Sequence, residues 1–305
     1  MKRFFIVLAI PFILLIIVGC EQEQSKNGKL YIVTTTGMIQ DALKNIAQEK
    51  AEVIGLMGPG VDPHLYKPTP GDLSELRKAD VVFYNGLHLE GKMGEVFEQL
   101  SRQKPVFAIA DEIDKNSLQA PQDASQAYDP HIWFDVELWK QTVDYAGKSL
   151  AEADTTNAQY FMSNTKAYTN ALDTLHRWVK QQIAQIPKKQ RVLITAHDAF
   201  GYFGTAYQIE VKGLQGISTL SEFGLRDVSE LVNFIVENNI KAVFVETSVS
   251  SKSLETVVSG CKEKGHDVKI GGTLYSDAMG EAGTAEGTYI GMVKSNVNTI
   301  VSSLK

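Results

Sequence analysis

The chain alternates short apolar, β-branched runs with segments whose apolar residues recur at helical spacing. In the first half, strand-like runs cover 30–34, 52–57, 81–85 and 106–109, and helical patterns cover 38–48, 72–78 and 90–101. In the second half, strand-like runs cover 191–195, 210–214, 242–246 and 268–270, with helical patterns between them and a closing helix over 287–304. This rhythm predicts an α/β fold with central parallel sheets flanked by helices.

A long helical pattern separates the two halves. It restarts at Asp154, carries an apolar stripe to Ile186, and is stopped by Pro187. A continuous helix of this length would span about 45 Å. We therefore expect an N-terminal α/β lobe over 29–153, a rigid linking helix over 154–187, and a C-terminal α/β lobe over 188–305.

The N-terminus predicts export and attachment to a membrane. Residues 1–19 combine a basic start with an apolar run from Phe4 to Val18, which is typical of a signal peptide. That run is shorter than the ~20 residues of a spanning helix. It ends in Ile-Val-Gly-Cys20, which is similar to a bacterial lipobox, where the chain is cut before a cysteine that then carries lipid. The alternative is an ordinary signal peptide with an incidental cysteine. Residues 20–28 are polar and predict a flexible tether.

Composition excludes some classes of function. The formal net charge is −6 and no basic run is present, which argues against a nucleic-acid partner. Cys261 is the only cysteine of the folded part, so neither an internal disulfide nor a cysteine pair for a metal is available there. We expect a monomer that contacts the membrane through its N-terminal lipid.

Four separated segments each place one metal-binding side chain in a loop that follows a predicted strand. They present His64, His131, His197 and Asp277, which lie 67, 66 and 80 residues apart. Three imidazoles and one carboxylate form a complete ligand set for a divalent transition metal. Ligands of parallel α/β sheets bind at the carboxyl ends of the strands. With two of these side chains in each lobe, the predicted site lies in the cleft between the lobes.

The sequence around these four residues also contains candidates for contacts that support the histidine rings. Metal-bound histidines usually donate their second ring N–H to a carboxylate or a carbonyl. The nearby candidates are Asp62, Asp129 and Asp198, and Trp133 is a candidate apolar wall. The other three histidines are interpreted as surface or hydrogen-bonded residues: His88, His176 and His266.

The lipobox, the four segments and the long helix together resemble the TroA-like zinc- and manganese-binding lipoproteins that feed ABC importers, most closely the manganese-binding lipoproteins of Gram-positive bacteria. The most specific motifs are those around His64, His131 and His197, the stretch 212–219, and Tyr275-Ser-Asp277-Ala-Met-Gly280. The resemblance implies a two-lobed fold with a helical backbone and metal ligands at the equivalents of His64, His131, a third His or Glu, and Asp277. It also implies a partner permease and ATPase and an extracytoplasmic, lipid-anchored location. His197 differs from members that carry Glu at this position.

The choice of metal stays open between two ions. By the affinity order of divalent metals, zinc binds such a site more tightly than manganese, so affinity does not identify the transported ion. Zinc-uptake relatives often carry a His-rich loop, whereas 111–128 contains no histidine. We expect manganese, with zinc as the alternative.

Two other classes of function are alternatives. A metallohydrolase keeps an open metal position and a nearby base. Asp198 is the candidate base, but the sequence has no His-Glu-x-x-His helix and no Gly-x-Ser-x-Gly motif. A surface adhesin is the third class, although no recognisable adhesion motif is present. We expect a binding protein and not an enzyme.

Overall fold

The computed structural model describes residues 28–120 and 128–305. The predicted signal peptide, Cys20 and all of the tether except Gly28 lie outside these residues. Within the two described ranges, no helix has the length and apolar character needed to cross a membrane.

The first sheet contains four parallel strands in the order β2-β1-β3-β4. The strands are β1 (Leu30–Thr34), β2 (Ala51–Gly55), β3 (Val81–Tyr84) and β4 (Val106–Ala108). The helices between them are α1 (Gly37–Ala47), α2 (Pro70–Lys78) and α3 (Gly94–Ser101). This part of the chain is the parallel α/β unit that the alternating pattern predicts.

The second sheet repeats this arrangement with the order β6-β5-β7-β8, again all parallel. Its strands are β5 (Val192–His197), β6 (Glu210–Gln215), β7 (Ala242–Glu246) and β8 (Lys269–Leu274). The helices are α6 (Gly201–Tyr207), α7 (Leu225–Glu237), α8 (Lys252–Glu263) and α9 (Tyr289–Leu304). In each sheet the strand order reverses between the two central strands, which is where α/β proteins bind ligands.

Two long helices stand between the sheets in the sequence. α4 (Val136–Ala153) begins at Asp135, whose carboxylate accepts hydrogen bonds from the N–H groups of Glu137 and Leu138 at 2.9 and 3.4 Å. α5 (Ala158–Ile183) has 26 residues and is shorter than expected. The chain turns at Asp154, whose carboxylate accepts the N–H of Asn157, so the linking helix begins at Ala158 rather than at Asp154.

The last strand also differs from the prediction, which ended at Ile270. β8 continues to Leu274, and the prediction stopped early because Gly271 and Gly272 in the middle of the strand carry no apolar signal. A Cβ at Gly271 would lie 2.9 Å from both the Phe244 ring and Ser303, and one at Gly272 would lie 2.5 Å from Thr299. Close packing of α9 on β8 therefore requires glycine here, and the longer strand brings Asp277 to the end of the sheet.

The apolar core connects the two sheets. Alternate strand residues, such as Ile32 and Phe83 in the first sheet and Leu193 and Phe244 in the second, face one cluster shared with α1, α4, α5 and α9. The opposite faces are covered separately, the first sheet by α2 and α3 and the second by α7 and α8. Because one core runs through both halves, the helices packed in it connect the two sheets that border the cleft.

Candidate metal centre

The structure brings the four predicted side chains together at the strand ends. His64 lies in the loop after β2, and His131 directly precedes a short 3-10 helix, Ile132–Phe134. His197 is the last residue of β5, and Asp277 comes three residues after β8. One ligand atom from each lies within 4.8 Å of all the others, and all four residues are buried.

Most of the distances between these atoms are close to those of a coordination shell. The Nε2 atoms of His64 and His131 are 3.2 Å apart. Asp277 Oδ1 lies 3.4 Å from His131 Nε2, and Oδ2 lies 3.3 Å from His197 Nε2 and 3.9 Å from His64 Nε2. Ligands bound at about 2.0–2.1 Å in a tetrahedron are separated by about 3.3–3.4 Å. The two oxygens face different histidines, so the carboxylate can supply one donor atom or two.

Asp129 supports His131 through two contacts. Its Oδ1 accepts the backbone N–H of His131 at 2.9 Å and lies 2.7 Å from the ring Nδ1. This is the carboxylate–histidine pairing expected beside a metal, and it directs Nε2 toward the other three side chains. The backbone carbonyl of Asp129 accepts the Tyr202 hydroxyl at 3.0 Å, which ties this loop to α6.

Glu246 supports His197 through two similar contacts, and it was not among the residues predicted from the sequence. Its Oε1 accepts the backbone N–H of His197 at 2.9 Å, and its Oε2 lies 2.5 Å from the ring Nδ1. Glu246 is the last residue of β7, beside β5 at the reversal point of the second sheet. A carboxylate that ends an otherwise apolar strand at this edge was the sequence signal that would have identified it.

Asp62 has a different contact from the one expected. Its Oδ1 accepts the backbone N–H of His64 at 2.8 Å, and its Oδ2 accepts the hydroxyl of Thr219 at 2.6 Å. Among the residues described, the His64 ring contacts no carboxylate other than Asp277. Asp62 therefore holds the loop of His64, not its ring, and joins it to the second half of the chain.

The remaining two candidates also occupy defined positions. Trp133 packs edge-on against the His131 ring, with centroids 5.2 Å apart, and donates its indole N–H to the carbonyl of Ser276 at 3.0 Å. This bond joins the His131 loop to the residue before Asp277. The Asp198 carboxylate makes no hydrogen bond in the parts of the chain described, and burial raises its pKa.

The charges of the centre are unevenly distributed. Burial lowers the pKa of His64 to about 3, and the nearby His131 and His197 act in the same direction, so this ring is neutral. Burial acts against charge on His131 too, but Asp129 and Asp277 outweigh it and raise its pKa to about 9. Although burial opposes ionisation of Asp277, His197 and His131 hold its pKa well below the usual range.

Several polar atoms of the centre have no hydrogen-bond partner within the described ranges. They are His197 Nε2 and both carboxylate oxygens of Asp277. His197 Nδ1 and Glu246 Oε2 also lack a well-directed hydrogen bond, although they lie 2.5 Å from each other. Leaving such groups buried and unpaired is costly, and a bound cation is a partner that satisfies them. The donor set of three imidazoles and a carboxylate suits zinc, and manganese when the carboxylate is bidentate or water joins.

The other three histidines lie outside this cluster. His176 contacts the Tyr207 hydroxyl through Nδ1 at 3.2 Å, and His266 contacts the carbonyl of Ile240 through Nε2 at 2.6 Å. His88 occupies a turn with a positive φ of 64°.

Comparison with known proteins gives a consistent family signal. Residues 32–303 match the family described as "ZnuA: Zinc-uptake complex component A periplasmic". The manganese-binding lipoprotein MntA of Bacillus subtilis is 51% identical over 97% of this chain and 98% of its own length. The zinc-binding protein TroA of Treponema pallidum is 47% identical over 93% of this chain and 91% of its own. A solved structure of the periplasmic zinc-binding protein TroA superposes with a TM-score of 0.89, covering 91% of this chain and 99% of that one.

Proposed function

This chain belongs to the ZnuA family of zinc-uptake complex components, and on that premise we propose that it captures a divalent transition metal and delivers it to an ABC permease. The metal is the cargo of the protein, and His64, His131, His197 and Asp277 are its ligands. A transport component is not an enzyme, so the family assignment confirms the prediction that the chain has no catalytic function.

One observation carries the ligand assignment. Four side chains from four separate loops place their donor atoms within 4.8 Å of one another in a buried position. A cluster of three imidazoles around a carboxylate has little structural value by itself, because buried polar groups stabilise a fold only when they are paired. A dication supplies the missing partner for the unpaired Asp277 oxygens and for His197 Nε2.

Manganese is the proposed cargo, and zinc is the second candidate. The relative at 51% identity is named a manganese-binding lipoprotein, and the one at 47% is named a zinc-binding protein. The absence of histidine from 111–128 favours manganese. The donor set supports either ion, because a bidentate Asp277 converts a four-coordinate site into a five-coordinate one.

We further propose that the mature chain is a monomer held on the outer face of the cell membrane of a Gram-positive bacterium by a lipid on Cys20. Relatives named as substrate-binding lipoproteins of metal ABC transporters support this placement.

We propose lobe boundaries at 29–153 and 188–305, with 154–187 as the linking segment. Because α5 packs in the core shared by both sheets, metal exchange proceeds through small lobe tilts or loop movements rather than wide hinge opening. X-ray scattering with and without metal tests this, and wide closure on binding would contradict it.

Uptake measurements in cells that lack the gene test the cargo. Radiolabelled manganese uptake is expected to fall and to be restored by the wild-type gene, but not by a His197→Ala variant. Loss of zinc uptake with normal manganese uptake would make zinc the cargo. Metal-dependent hydrolysis of ester or peptide substrates by the purified protein would refute the transport assignment in favour of a metallohydrolase.

A further inference from the structure

Glu246 is a buried carboxylate that is not one of the four clustered ligands. Its side chain is fully shielded from solvent, and both of its oxygens face His197. Oε1 accepts the backbone N–H at 2.9 Å, and Oε2 lies 2.5 Å from ring Nδ1. Because β7 and β5 are paired neighbours, the carboxylate reaches the histidine from an adjacent strand and not from a mobile loop.

The three histidines of the centre are supported in two different ways. The carboxylate of Asp62 accepts the backbone N–H of His64. In the same way, Asp129 accepts that of His131, and Glu246 accepts that of His197. Only Asp129 and Glu246 also face the ring Nδ1. His131 and His197 are therefore oriented through both the backbone and the ring, whereas Asp62 orients His64 through the backbone alone.

We propose that Glu246 is a positioning residue for metal capture, which keeps the Nδ1 proton of His197 on the side of the carboxylate and presents the Nε2 lone pair to the metal. The proposal rests on the function proposed above, with His197 as a ligand. A neutral imidazole carries one proton on either nitrogen, and the partner of Nδ1 decides which one. In addition, the negative charge strengthens the imidazole as a donor and partly neutralises the dication.

The geometry makes the Glu246→Gln substitution informative. The amide has one acceptor oxygen, whereas the carboxylate accepts two N–H groups at once. If the amide oxygen keeps the backbone N–H, the amide NH₂ faces Nδ1 and drives the ring proton to Nε2, where it blocks the metal. If the amide is reversed, its NH₂ opposes the backbone N–H of His197. Either orientation disturbs the ligand while leaving the volume of the side chain nearly unchanged.

The test compares Glu246→Gln with Glu90→Gln in the mature protein. Glu90 is a matched control because it is also a buried carboxylate that accepts several hydrogen bonds, and its donors are Thr35, Asn85 and Gly86. Zinc and manganese affinities are measured by competition with a chelator. We expect Glu246→Gln to weaken both about 10–100-fold and Glu90→Gln to change them less than about threefold.

If metal affinity changes less than threefold in Glu246→Gln, the proposal is overturned. It is also overturned if Glu90→Gln loses as much affinity as Glu246→Gln, because the effect would then belong to any altered buried carboxylate. His197→Ala separates this inference from the proposed function. If His197→Ala abolishes binding while Glu246→Gln does not, only the role of Glu246 fails.

A second measurement needs no substitution of Glu246. Nitrogen-15 NMR of the histidine rings in the metal-free wild-type protein reports which ring nitrogens carry protons, and His197→Ala identifies the signals. We expect Nδ1 of His197 to be protonated. An unprotonated Nδ1 contradicts the proposal whatever the affinities are.

Discussion

His64→Ala should remove most of the stabilisation that metal gives the fold. His64 is one of the four proposed ligands, and its Nε2 lies 3.2 Å from that of His131 and 3.9 Å from Asp277 Oδ2. Its pKa of about 3 means that the ring is neutral at physiological pH, so no buried ion pair is lost with it. The substitution therefore acts mainly on the metal-bound state.

The size of the effect follows from linkage between binding and folding. A metal at a thousandfold excess over its Kd stabilises the wild-type protein by about 4 kcal/mol, if the unfolded chain does not bind it. If losing one of four ligands weakens binding about a thousandfold, the same metal concentration leaves about 0.4 kcal/mol. At roughly 2–4 °C per kcal/mol, the metal-dependent rise in Tm should fall from roughly 8–16 °C to about 1 °C.

The assay is thermal unfolding followed by circular dichroism, with and without metal, for wild type, His64→Ala and His176→Ala. His176 is a partly buried histidine outside the cluster, so its variant should keep the full shift even if its baseline stability falls. A full metal-dependent shift in His64→Ala would refute the assignment of His64 as a ligand. Loss of the shift in both variants would show that it does not arise from this centre.

Three further predictions concern packing, anchoring and pH. Gly147→Ala should destabilise the metal-free protein by about 1–3 kcal/mol in urea unfolding, because a Cβ there would lie 2.1 Å from Thr165 Oγ1. Gly94→Ala is the control, because the space around Gly94 is open. Cys20→Ala should move the protein from the membrane fraction to the medium on immunoblots, and continued membrane retention would contradict a lipid anchor. Metal affinity should fall as pH drops below about 9, because protons then occupy His131; titration at several pH values should show this, and a flat profile would exclude proton competition.

The four clustered side chains could be predicted from the sequence because each proposed ligand stands in a short, locally defined segment. Pro63 and Pro130 stiffen the loops that present two of the histidines, and apolar runs mark most of the strands that precede them. The α/β class followed from the alternation of these runs with helical patterns, and the structure confirms it. Element ends were less accurate where side-chain pattern is weak, as at the glycines of β8 and the turn between α4 and α5.

The sequence by itself determined the residue types of the centre and the fold class, because periodicity and local turn chemistry are properties of neighbouring residues. Only the tertiary structure decided which carboxylate contacts which histidine. Glu246 is 49 residues from His197 and reaches it because β7 pairs with β5, whereas Asp198, next to His197 in sequence, does not contact its ring. Asp62, two residues from His64, bonds to its backbone and to Thr219, 157 residues away. Such pairings depend on strand order and on the packing of loops across the cleft, which no local pattern encodes.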